Sequence, residues 1–387
     1  MKTVHPLRVW TTATTQLART ARRMAALTMM VFPGSIMAAP GDYRVDTLVS
    51  GLTQPMSVAF LPGGDLLVTE KRGALRLIRN GRLIPQPVAV IDDVFDGAQG
   101  GLTDVVLHPK FGDNQLVYLA FSGGTAKANS TRVARGRLVD DRLRDFEEIF
   151  RARPEKDTGV HFGGRLAFRQ DGTLSVTVGD GAQYREKAQD LSSLLGSVIR
   201  INEDGSIPAD NPFVSRDNAR DAIWSYGHRN PQGLVVDSKT GKVYATEHGP
   251  RGGDELNLIE PGNNYGWPLA THGVDYTGAA ITPFTEYPGT VQPLTHWTPS
   301  LAPSGLALCR RCLWPAWEGD LFAGMLMGAQ VQRVRLLPTG GVEREALFED
   351  VGERIRDVRF GPDGALYLVT DNVEGRVLRI TPVGGQE

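Results

Sequence analysis

A phrase repeated six times is the feature that most constrains the fold of this chain. Each copy has an alternating apolar strand, a turn rich in glycine, and further apolar strands. The copies are residues 56–78, 102–122, 164–180, 233–259, 304–336 and 355–380. Each copy should form a small antiparallel sheet, which cannot bury both of its faces alone. Six such sheets packed in a ring solve that problem, so the repeat predicts an all-β, six-bladed β-propeller.

The copies are unevenly spaced, at intervals of about 45 to 70 residues, so long loops must join the strands. A two-sheet β-sandwich is the competing architecture, but six copies of one phrase favour radial assembly. Residues 43–49 form a spare strand ahead of the first copy. We expect this strand to complete the last blade and so close the ring.

Residues 1–39 have the layout of a secretory signal peptide. Five basic residues precede an apolar stretch at residues 24–37, and two alanines follow as a cleavage site. The stretch is too short to span a bilayer and is interrupted by a Pro-Gly pair. An adjacent pair of arginines raises the alternative of twin-arginine export, which the following residues fit poorly. The sequence therefore predicts a secreted or periplasmic protein whose single propeller domain covers residues 40–387.

The charge of the chain after the leader argues against a nucleic-acid partner. It has 37 basic and 44 acidic side chains, a net charge near −7. No later stretch of the sequence is long and apolar enough to span a membrane. The cysteines, Cys309 and Cys312, form a CRRC sequence. In an oxidising compartment this spacing favours a small structural disulfide over a redox-active pair.

The span from Trp224 to Trp267 concentrates arginine, asparagine, histidine, carboxylates and glycine around two short apolar strands. These strands, residues 233–237 and 242–247, are joined by a Ser-Lys-Thr-Gly turn that suits a hairpin. The second strand runs into the glycine-rich sequence HGPRGGDE. Backbone carbonyls freed from the ladder there, with Asp254 and Glu255 beside them, are the hard oxygen ligands that calcium prefers. The alternative is a glycine-rich loop whose acids only cap turns.

A propeller gathers one end of every innermost strand around a shared axis, so distant loop residues can form one pocket. The polar residues of these loops are Gln99, His161, Asp180, Arg229, Asn230, Tyr276, Arg354 and Arg356. A neutral histidine held by Asp180 could take a proton from a hydroxyl group. The three arginines could hold a multiply charged anion. In the alternative, the histidine is a packing residue and the arginines pair with neighbouring acids.

Eight phrases of the chain resemble those of the soluble aldose sugar dehydrogenases that depend on pyrroloquinoline quinone (PQQ), the family that also contains the soluble glucose dehydrogenase. They are QGGLTDVVLHPKF, HFGGRLAF, QDLSSLLGSVIRIN, IPADNPF, IWSYGHRNPQG, EHGPRGGDELNLI, NNYGWP and ERIRDVRFGPDG. The phrases stand in the family's order and span nearly the whole chain after the leader. As a set they are specific to this family.

The resemblance implies an enzyme that oxidises an aldose sugar at the anomeric carbon to the lactone, passing hydride to calcium-bound PQQ. It assigns His161 as the base toward the anomeric hydroxyl group and Asp180 as its supporting carboxylate. Arg229 matches the residue that polarises the reacting carbonyl. The cofactor-binding positions of the family correspond here to Gln99, His161, Arg229, Asn230, Tyr276, Arg354 and Arg356.

The resemblance also implies two calcium sites. The backbone oxygens of Gly249 and Pro250 match the ligands of the ion that lies against the quinone. Glu255 and the backbone oxygen of Tyr265 match a second, structural site. The chain departs from its relatives at Met327, where they have a lysine that contacts a cofactor carboxylate. Weaker cofactor binding, compensation by another residue or loss of the activity would follow, and the retained histidine and arginines argue against the loss.

Two other functions are compatible with such a ring. A calcium-dependent lactonase would hold its axial metal mainly through side-chain carboxylates and amides and would not need three arginines. A non-catalytic propeller that binds a protein or a glycan would be expected to lose the histidine and arginines together. The expected partners are therefore a small sugar and an electron acceptor that the sequence does not identify, for a monomer or a homodimer.

Overall fold

A computed structural model describes residues 43–383, which form a ring of six antiparallel sheets. The predicted leader lies outside these residues. The strands are β1 (Tyr43–Thr53), β2 (Pro55–Phe60), β3 (Leu66–Glu70), β4 (Ala74–Arg79), β5 (Arg82–Leu83), β6 (Ala89–Val90), β7 (Leu102–Leu107), β8 (Leu116–Thr125), β9 (Ala128–Val139), β10 (Arg142–Arg151), β11 (Gly163–Phe168), β12 (Leu174–Val178), β13 (Ser197–Ile201), β14 (Ile223–Tyr226), β15 (Pro231–Val236), β16 (Val243–Glu247), β17 (Asp254–Ile259), β18 (Thr295–Trp297), β19 (Pro303–Leu308), β20 (Leu321–Met325), β21 (Val331–Leu336), β22 (Val342–Leu347), β23 (Ile355–Phe360), β24 (Leu366–Thr370) and β25 (Glu374–Pro382). The helical segments are the short α1 (Phe111–Asn114) and 3₁₀ turns at Arg185–Gln189, Pro315–Trp317 and Glu349–Val351.

The sheets confirm the predicted six-bladed β-propeller. Blade 1 contains β2 to β6, blade 2 β7 to β10, blade 3 β11 to β14, blade 4 β15 to β18, and blade 5 β19 to β22. Blade 6 consists of β23, β24, β25 and, as its outer strand, β1. Tyr43 pairs with Pro382 and Thr53 with Glu374 in an antiparallel ladder. The spare strand predicted at residues 43–49 therefore closes the ring as expected, and it continues to Thr53.

The hydrophobic core of the described residues is divided into six clusters, one between each pair of neighbouring blades. Between blades 1 and 2, for example, Leu67 and Leu75 pack with Val105 and Leu119. Each sheet is twisted and apolar on the faces that meet its neighbours, so a blade buries its residues only inside the ring. The first strand of every blade contacts the first strands of both adjacent blades, which makes these six strands the inner wall.

A buried ionic network links the inner strands of four blades. Arg359 of β23 donates to Asp104 of β7 at 2.8 Å and to Asp357 at 2.9 Å. Ser57 of β2 donates to both of these carboxylates, and Arg165 of β11 lies 3.3 Å from Asp357. The two positive and two negative charges balance, which a water-excluded site requires. The network fixes the relative positions of the strands that carry the site described below.

Cys309 and Cys312 form a disulfide, as their spacing favours. Cys309 is fully buried, and the bond closes a short loop after β19 beside the stacked rings of Trp314 and Trp317. A position in the core of blade 5 agrees with a structural bond. Within residues 43–383, the helices are all too short or too polar to cross a membrane.

Candidate active site at one edge of the ring

The predicted polar residues lie at one edge of the ring because of how the strands run. In each blade the first strand starts where the second strand ends, since the two are antiparallel. His161 comes two residues before β11, and Asp180 comes two residues after β12. The other predicted residues at strand starts are Gln99 before β7, Arg229 and Asn230 before β15, and Arg354 and Arg356 at β23.

His161 and Asp180 form a buried hydrogen-bonded pair. His161 Nδ1 lies 2.6 Å from Asp180 Oδ1. The same carboxylate accepts the backbone N–H of Ala182 and the indole Nε1–H of Trp267, each at 2.7 Å. Each Asp180 oxygen thus already accepts an N–H group, so Asp180 is also the acceptor in its contact with His161. His161 therefore carries its proton on Nδ1. The lone pair of Nε2 is therefore left available to take a proton.

The backbone of His161 is held in an unusual conformation. Its φ of 52° lies in the left-handed region, which a non-glycine residue adopts only where surrounding contacts require it. Its N–H donates to Gln99 Oε1 at 2.9 Å. A Cβ at Gly179 would lie 2.3 Å from the His161 carbonyl oxygen, so only glycine fits there. The segment before β11, which carries His161, is thus closely packed against the segment after β12, which carries Asp180. Gln99 holds the first of these segments through its hydrogen bond to the His161 backbone.

The surroundings of His161 favour its neutral form. Burial lowers the pKa of the imidazole, the nearby Arg229 and Lys156 charges lower it further, and the hydrogen bond to Asp180 opposes them. The net effect is a pKa below the usual value for histidine. At neutral pH the ring is an uncharged base.

Arg229 projects beside this pair, and no carboxylate in residues 43–383 is a partner of its side chain. Its Nη1 donates to the carbonyl oxygens of His248 at 3.0 Å and Gly249 at 2.6 Å. The guanidinium lies 5.3 Å from the ring centre of Trp267. The backbone N–H of Arg229 donates to Glu247 Oε2 at 2.7 Å, which anchors the loop. The positive charge of Arg229 is consequently held in place and available to an anion.

Asn230 carries an unused donor. Its Oδ1 accepts the N–H of Gly163 at 3.2 Å and the side-chain amide of Gln232 at 3.1 Å. Its Nδ2 is buried and has no partner among the described residues. A buried N–H group without an acceptor is unfavourable by about 1–3 kcal/mol, so a bound ligand that offered an acceptor there would be favoured.

Arg354 and Arg356 share one carboxylate. Arg354 Nε donates to Asp371 Oδ2 at 2.7 Å, and Arg356 donates to Asp371 Oδ1 at 2.9 Å and 2.7 Å. Arg354 also donates to the carbonyl oxygen of Leu326 at 3.2 Å. The alternative in which arginines pair with neighbouring acids is therefore correct for these two. Two guanidinium groups on one carboxylate still leave a net positive charge.

The buried ring of His248 shows that the charged residues face one region. Burial, together with the charges of Arg229, His161 and Arg356, lowers its pKa to about 3. Its Nε2 lies 2.8 Å from the carbonyl oxygen of Pro303. Three residues from three blades act on one imidazole, so they lie on the same side of the molecule. The three residues are thus near one another, and their role as a cationic pocket for a bound anion stays a prediction.

The glycine-rich loop after β16 leads to a small cavity of ≈ 10 Å³. Its walls include Arg229, Glu247, His248, Gly249, Gly253, Glu255, Trp267, Ala270 and Thr271. Such a volume holds about one water molecule or ion. Burial raises the pKa of Glu255, and the neighbouring Glu247 raises it further. A cation in the cavity would relieve this repulsion.

Asn257 lies between the two acids with an unsatisfied oxygen. Its Nδ2 donates to Glu247 and Glu255, both at 3.0 Å, while its buried Oδ1 has no partner within the described range. No group of three histidine, cysteine, aspartate or glutamate side chains within residues 43–383 is arranged to hold a metal ion. Carbonyl and amide oxygens would therefore have to complete any cation site here, as the sequence predicts for Gly249 and Pro250.

Three of the singled-out residues lie around this core. Tyr265 stacks on His228 with ring centres 4.6 Å apart, and its N–H donates to the Tyr226 carbonyl oxygen at 2.8 Å. Tyr276 is 70% exposed in the loop after Arg251, which bridges Val274 through the backbone. Tyr276 does not line the cavity. Met327 is 59% exposed and follows Leu326, whose carbonyl oxygen Arg354 contacts.

The sequence reasoning did not assign roles to three residues that the structure places in the site. Trp267 binds Asp180, Glu247 anchors the Arg229 backbone and Asp371 holds two arginines. The two acids among them, Glu247 and Asp371, share a position in the repeat with the predicted Asp180. Asp180, Glu247 and Asp371 all lie at or just after the end of the second strand of their blades. Aligning the repeats would have placed all three at the same edge.

The chain matches the sequence model of the glucose/sorbosone dehydrogenases over residues 52–379. It is 41% identical over 361 residues to the aldose sugar dehydrogenase YliI of Escherichia coli, covering 92% of this chain and 97% of that relative.

Two solved structures are similar to this chain in both sequence and fold. A crystal structure of a glucose dehydrogenase is 44% identical and superimposes with a TM-score of 0.84, over 87% of this chain and 99% of the other. The PQQ-bound form of the aldose sugar dehydrogenase of Streptomyces coelicolor is 29% identical and has a TM-score of 0.70. That comparison covers 89% of this chain and all of the other.

Proposed function

Because this chain belongs to the glucose/sorbosone dehydrogenase family, we propose that it oxidises aldose sugars at the anomeric carbon to the lactone, with PQQ as the hydride acceptor. Support comes from the His161–Asp180 pair, which leaves a neutral nitrogen free beside a cationic pocket. Further support comes from the relative of Streptomyces coelicolor, whose structure is that of its PQQ-bound form.

The side chains of the pocket fit a planar molecule with three carboxylates, which PQQ is. Arg229, Arg354 and Arg356 supply guanidinium groups, which pair carboxylates in a bidentate manner. The unpartnered Nδ2 of Asn230 supplies an N–H donor in the same region. Gln99 is already held by the His161 backbone and would contribute its amide. Tyr276 at the rim would add an aromatic contact only if its loop moved inward.

The proposed chemistry assigns one proton transfer to the protein. His161 Nε2 takes the proton of the anomeric hydroxyl group, while Asp180 stabilises the imidazolium that forms. PQQ, when bound, supplies the acceptor for the hydride that leaves the same carbon. Loss of that proton and hydride turns the anomeric carbon into the lactone carbonyl. Arg229 holds positive charge beside the position where negative charge develops.

Calcium is the second proposed cofactor. Gly249 and Pro250 would hold one ion through their backbone oxygens, and Glu255 with the Tyr265 carbonyl would hold another. The raised pKa of Glu255 and the orphaned Asn257 oxygen support a cation near the cavity. Oxygen donors of this kind suit a hard divalent ion. In the structure Arg229 occupies the Gly249 oxygen, so a bound ion would compete with that contact.

The His161–Asp180 geometry carries the proposal, and one reconstitution experiment tests it. Purified protein is mixed with PQQ and calcium, and the reduction of a redox dye is followed with several aldoses. Sugar-dependent dye reduction that requires PQQ is the expected result. Cofactor binding without dye reduction by any sugar would refute the dehydrogenase, and lactone hydrolysis without PQQ would favour the calcium-dependent lactonase instead.

The domain and location assignments are also proposals. Residues 1–39 would be removed on export, leaving residues 40–387 as one catalytic domain in the periplasm or medium. Mass spectrometry of the protein from a periplasmic fraction would give its first residue. The electron acceptor would be an external carrier, and light scattering would distinguish a monomer from a homodimer.

A further inference from the structure

Lys156 is a buried amine near the His161–Asp180 pair. It has no role in the reaction proposed above. Its side chain is enclosed, with only 2% of the residue exposed. Its Nζ donates to Asn129 Oδ1 at 3.1 Å and to the Thr158 carbonyl oxygen at 2.7 Å. The same nitrogen lies 3.4 Å from the ring centre of Phe162. Two oxygens and an aromatic face suit the three N–H groups of an ammonium ion.

The lysine touches both segments that carry the catalytic pair. Phe162, under its Nζ, is the residue after His161. Gly181, the residue after Asp180, packs so closely on the lysine stem that a Cβ there would lie 2.5 Å from Lys156 Cδ. Thr158, which accepts from Nζ, also donates through its hydroxyl group to the Gly181 carbonyl oxygen at 2.8 Å. Lys156 therefore connects the strand start of His161 to the strand end of Asp180.

The direct partners of Nζ carry no charge, so the field of the ammonium reaches the groups beyond them. Asp180 and Asp157 are the acids that act on Lys156. The charges of Arg229 and Lys156 lower the pKa of His161, whereas Asp180 raises it. A charge on His161 in turn lowers the pKa of His248. A positive charge in this low-dielectric region makes a second positive charge on His161 less favourable.

We propose that Lys156 is a positioning residue for the reaction, whose buried charge keeps the His161 imidazole neutral and whose contacts brace the His161–Asp180 pair. The pH range over which Lys156 is charged fits this role. Burial lowers the pKa of Lys156 to about 7, which is above the lowered pKa of His161. The ammonium is thus present at the acidic pH values where His161 would otherwise gain a proton.

The test measures the pKa of His161 by nitrogen-15 NMR in the apoprotein, with His161→Gln identifying its signals. Lys156→Met removes the charge at nearly constant length, and Lys127→Met removes an exposed lysine at the β8–β9 turn as a control. We expect the pKa of His161 to rise by about one unit in Lys156→Met and to stay unchanged in Lys127→Met. An unchanged His161 pKa in folded Lys156→Met would overturn the proposal.

Unaltered protein supplies a second measurement if Lys156→Met does not fold. The His161 ring signals should show an additional step at the pH where the Lys156 Nζ signal titrates, and no such step would refute the electrostatic link. The kinetic effect rests on the proposed function: the acid limb of kcat/KM should move to higher pH by the same amount in Lys156→Met. Because the NMR readout needs no PQQ or sugar, failure of the dehydrogenase would leave it interpretable.

Discussion

Trp267 Nε1 donates a hydrogen bond of 2.7 Å to Asp180 Oδ2, which joins the long loop of blade 4 to a strand end of blade 3. The other oxygen of Asp180 faces His161. The indole therefore fixes the orientation of the carboxylate, and the carboxylate fixes the tautomer of the imidazole. The catalytic pair depends on a residue 87 positions away in the chain.

Trp267→Phe should lower kcat while leaving the fold intact. The phenyl ring keeps the apolar contact, but the lost hydrogen bond to a charged acceptor is typically worth about 1.5–3 kcal/mol. We expect kcat to fall by about 10- to 100-fold. Trp314→Phe is the matched control, because the buried Nε1 of Trp314 has no partner in the part of the chain that the structure describes. Equal kcat values for the two variants would show that the indole N–H does not matter.

His161→Asn should abolish most of the turnover without preventing PQQ binding. A positioned base contributes about 10²- to 10⁴-fold, so kcat should fall within that range. A PQQ titration followed by absorbance should still show binding, because the other cofactor-binding residues remain. His108→Asn, which removes an imidazole paired with Glu203 after the far end of β7, serves as the control. A kcat reduced equally by both changes would contradict the assignment.

The pH profile of the unaltered enzyme should extend into the acid range. The pKa of His161 lies below its ordinary value, so the base remains uncharged to lower pH than free histidine. As pH falls through that lowered pKa, the imidazole is protonated and kcat/KM declines. We expect the acid limb to have a midpoint below about 6.5, the ordinary histidine value. A midpoint above that value would conflict with burial as the controlling influence.

Met327→Lys should strengthen PQQ binding. Met327 is exposed next to the carbonyl oxygen that Arg354 contacts, so an ammonium there would add positive charge at the rim of the pocket. A partly exposed charge pair is worth up to about 1 kcal/mol, which predicts a dissociation constant about 3- to 5-fold lower at low salt. Val383→Lys changes a residue of equal exposure outside the site. The same gain in both variants would indicate only a non-specific charge effect.

Calcium should raise the melting temperature of the apoprotein, and Glu255→Gln should remove the part of that increase that comes from the ion at Glu255. The ion would relieve the repulsion between Glu255 and Glu247, and a ligand at 100 times its Kd stabilises by about 2.7 kcal/mol. The neutral glutamine removes the same repulsion without the ion, so apo Glu255→Gln should be at least as stable as the unaltered protein. Glu286→Gln, in an exposed loop, should keep the full calcium response. Magnesium provides the ion control.

The ring and its closure could be predicted because they depend on local pattern. Alternating strands and glycine turns repeat along the chain. Residues 43–49 precede the first copy as an extra strand, and they pair with β25 in blade 6. The hairpin between β15 and β16 followed from its turn, in which Gly241 has a φ of 74°. Such features need only neighbours in sequence, which is why the sequence indicates them.

The contacts that organise the site could not be read in the same way. Lys156 stands in a short loop with no motif, and its importance arises only because Asn129, Phe162 and Gly181 enclose it. The pairing of Asp371 with both arginines depends on the register of β23 against β24. A sequence names the residue types in a pocket, whereas folding decides which of them neutralise one another.

The pairing of β1 with β25 makes the two ends of the described chain a single structural joint. Because β1 is synthesised well before β25, this pairing cannot form until β25 has been made. Contacts this distant in sequence slow folding, because a long loop must close before they contribute. Partially synthesised or clipped chains would consequently expose the unpaired edge of blade 6, a template for aggregation.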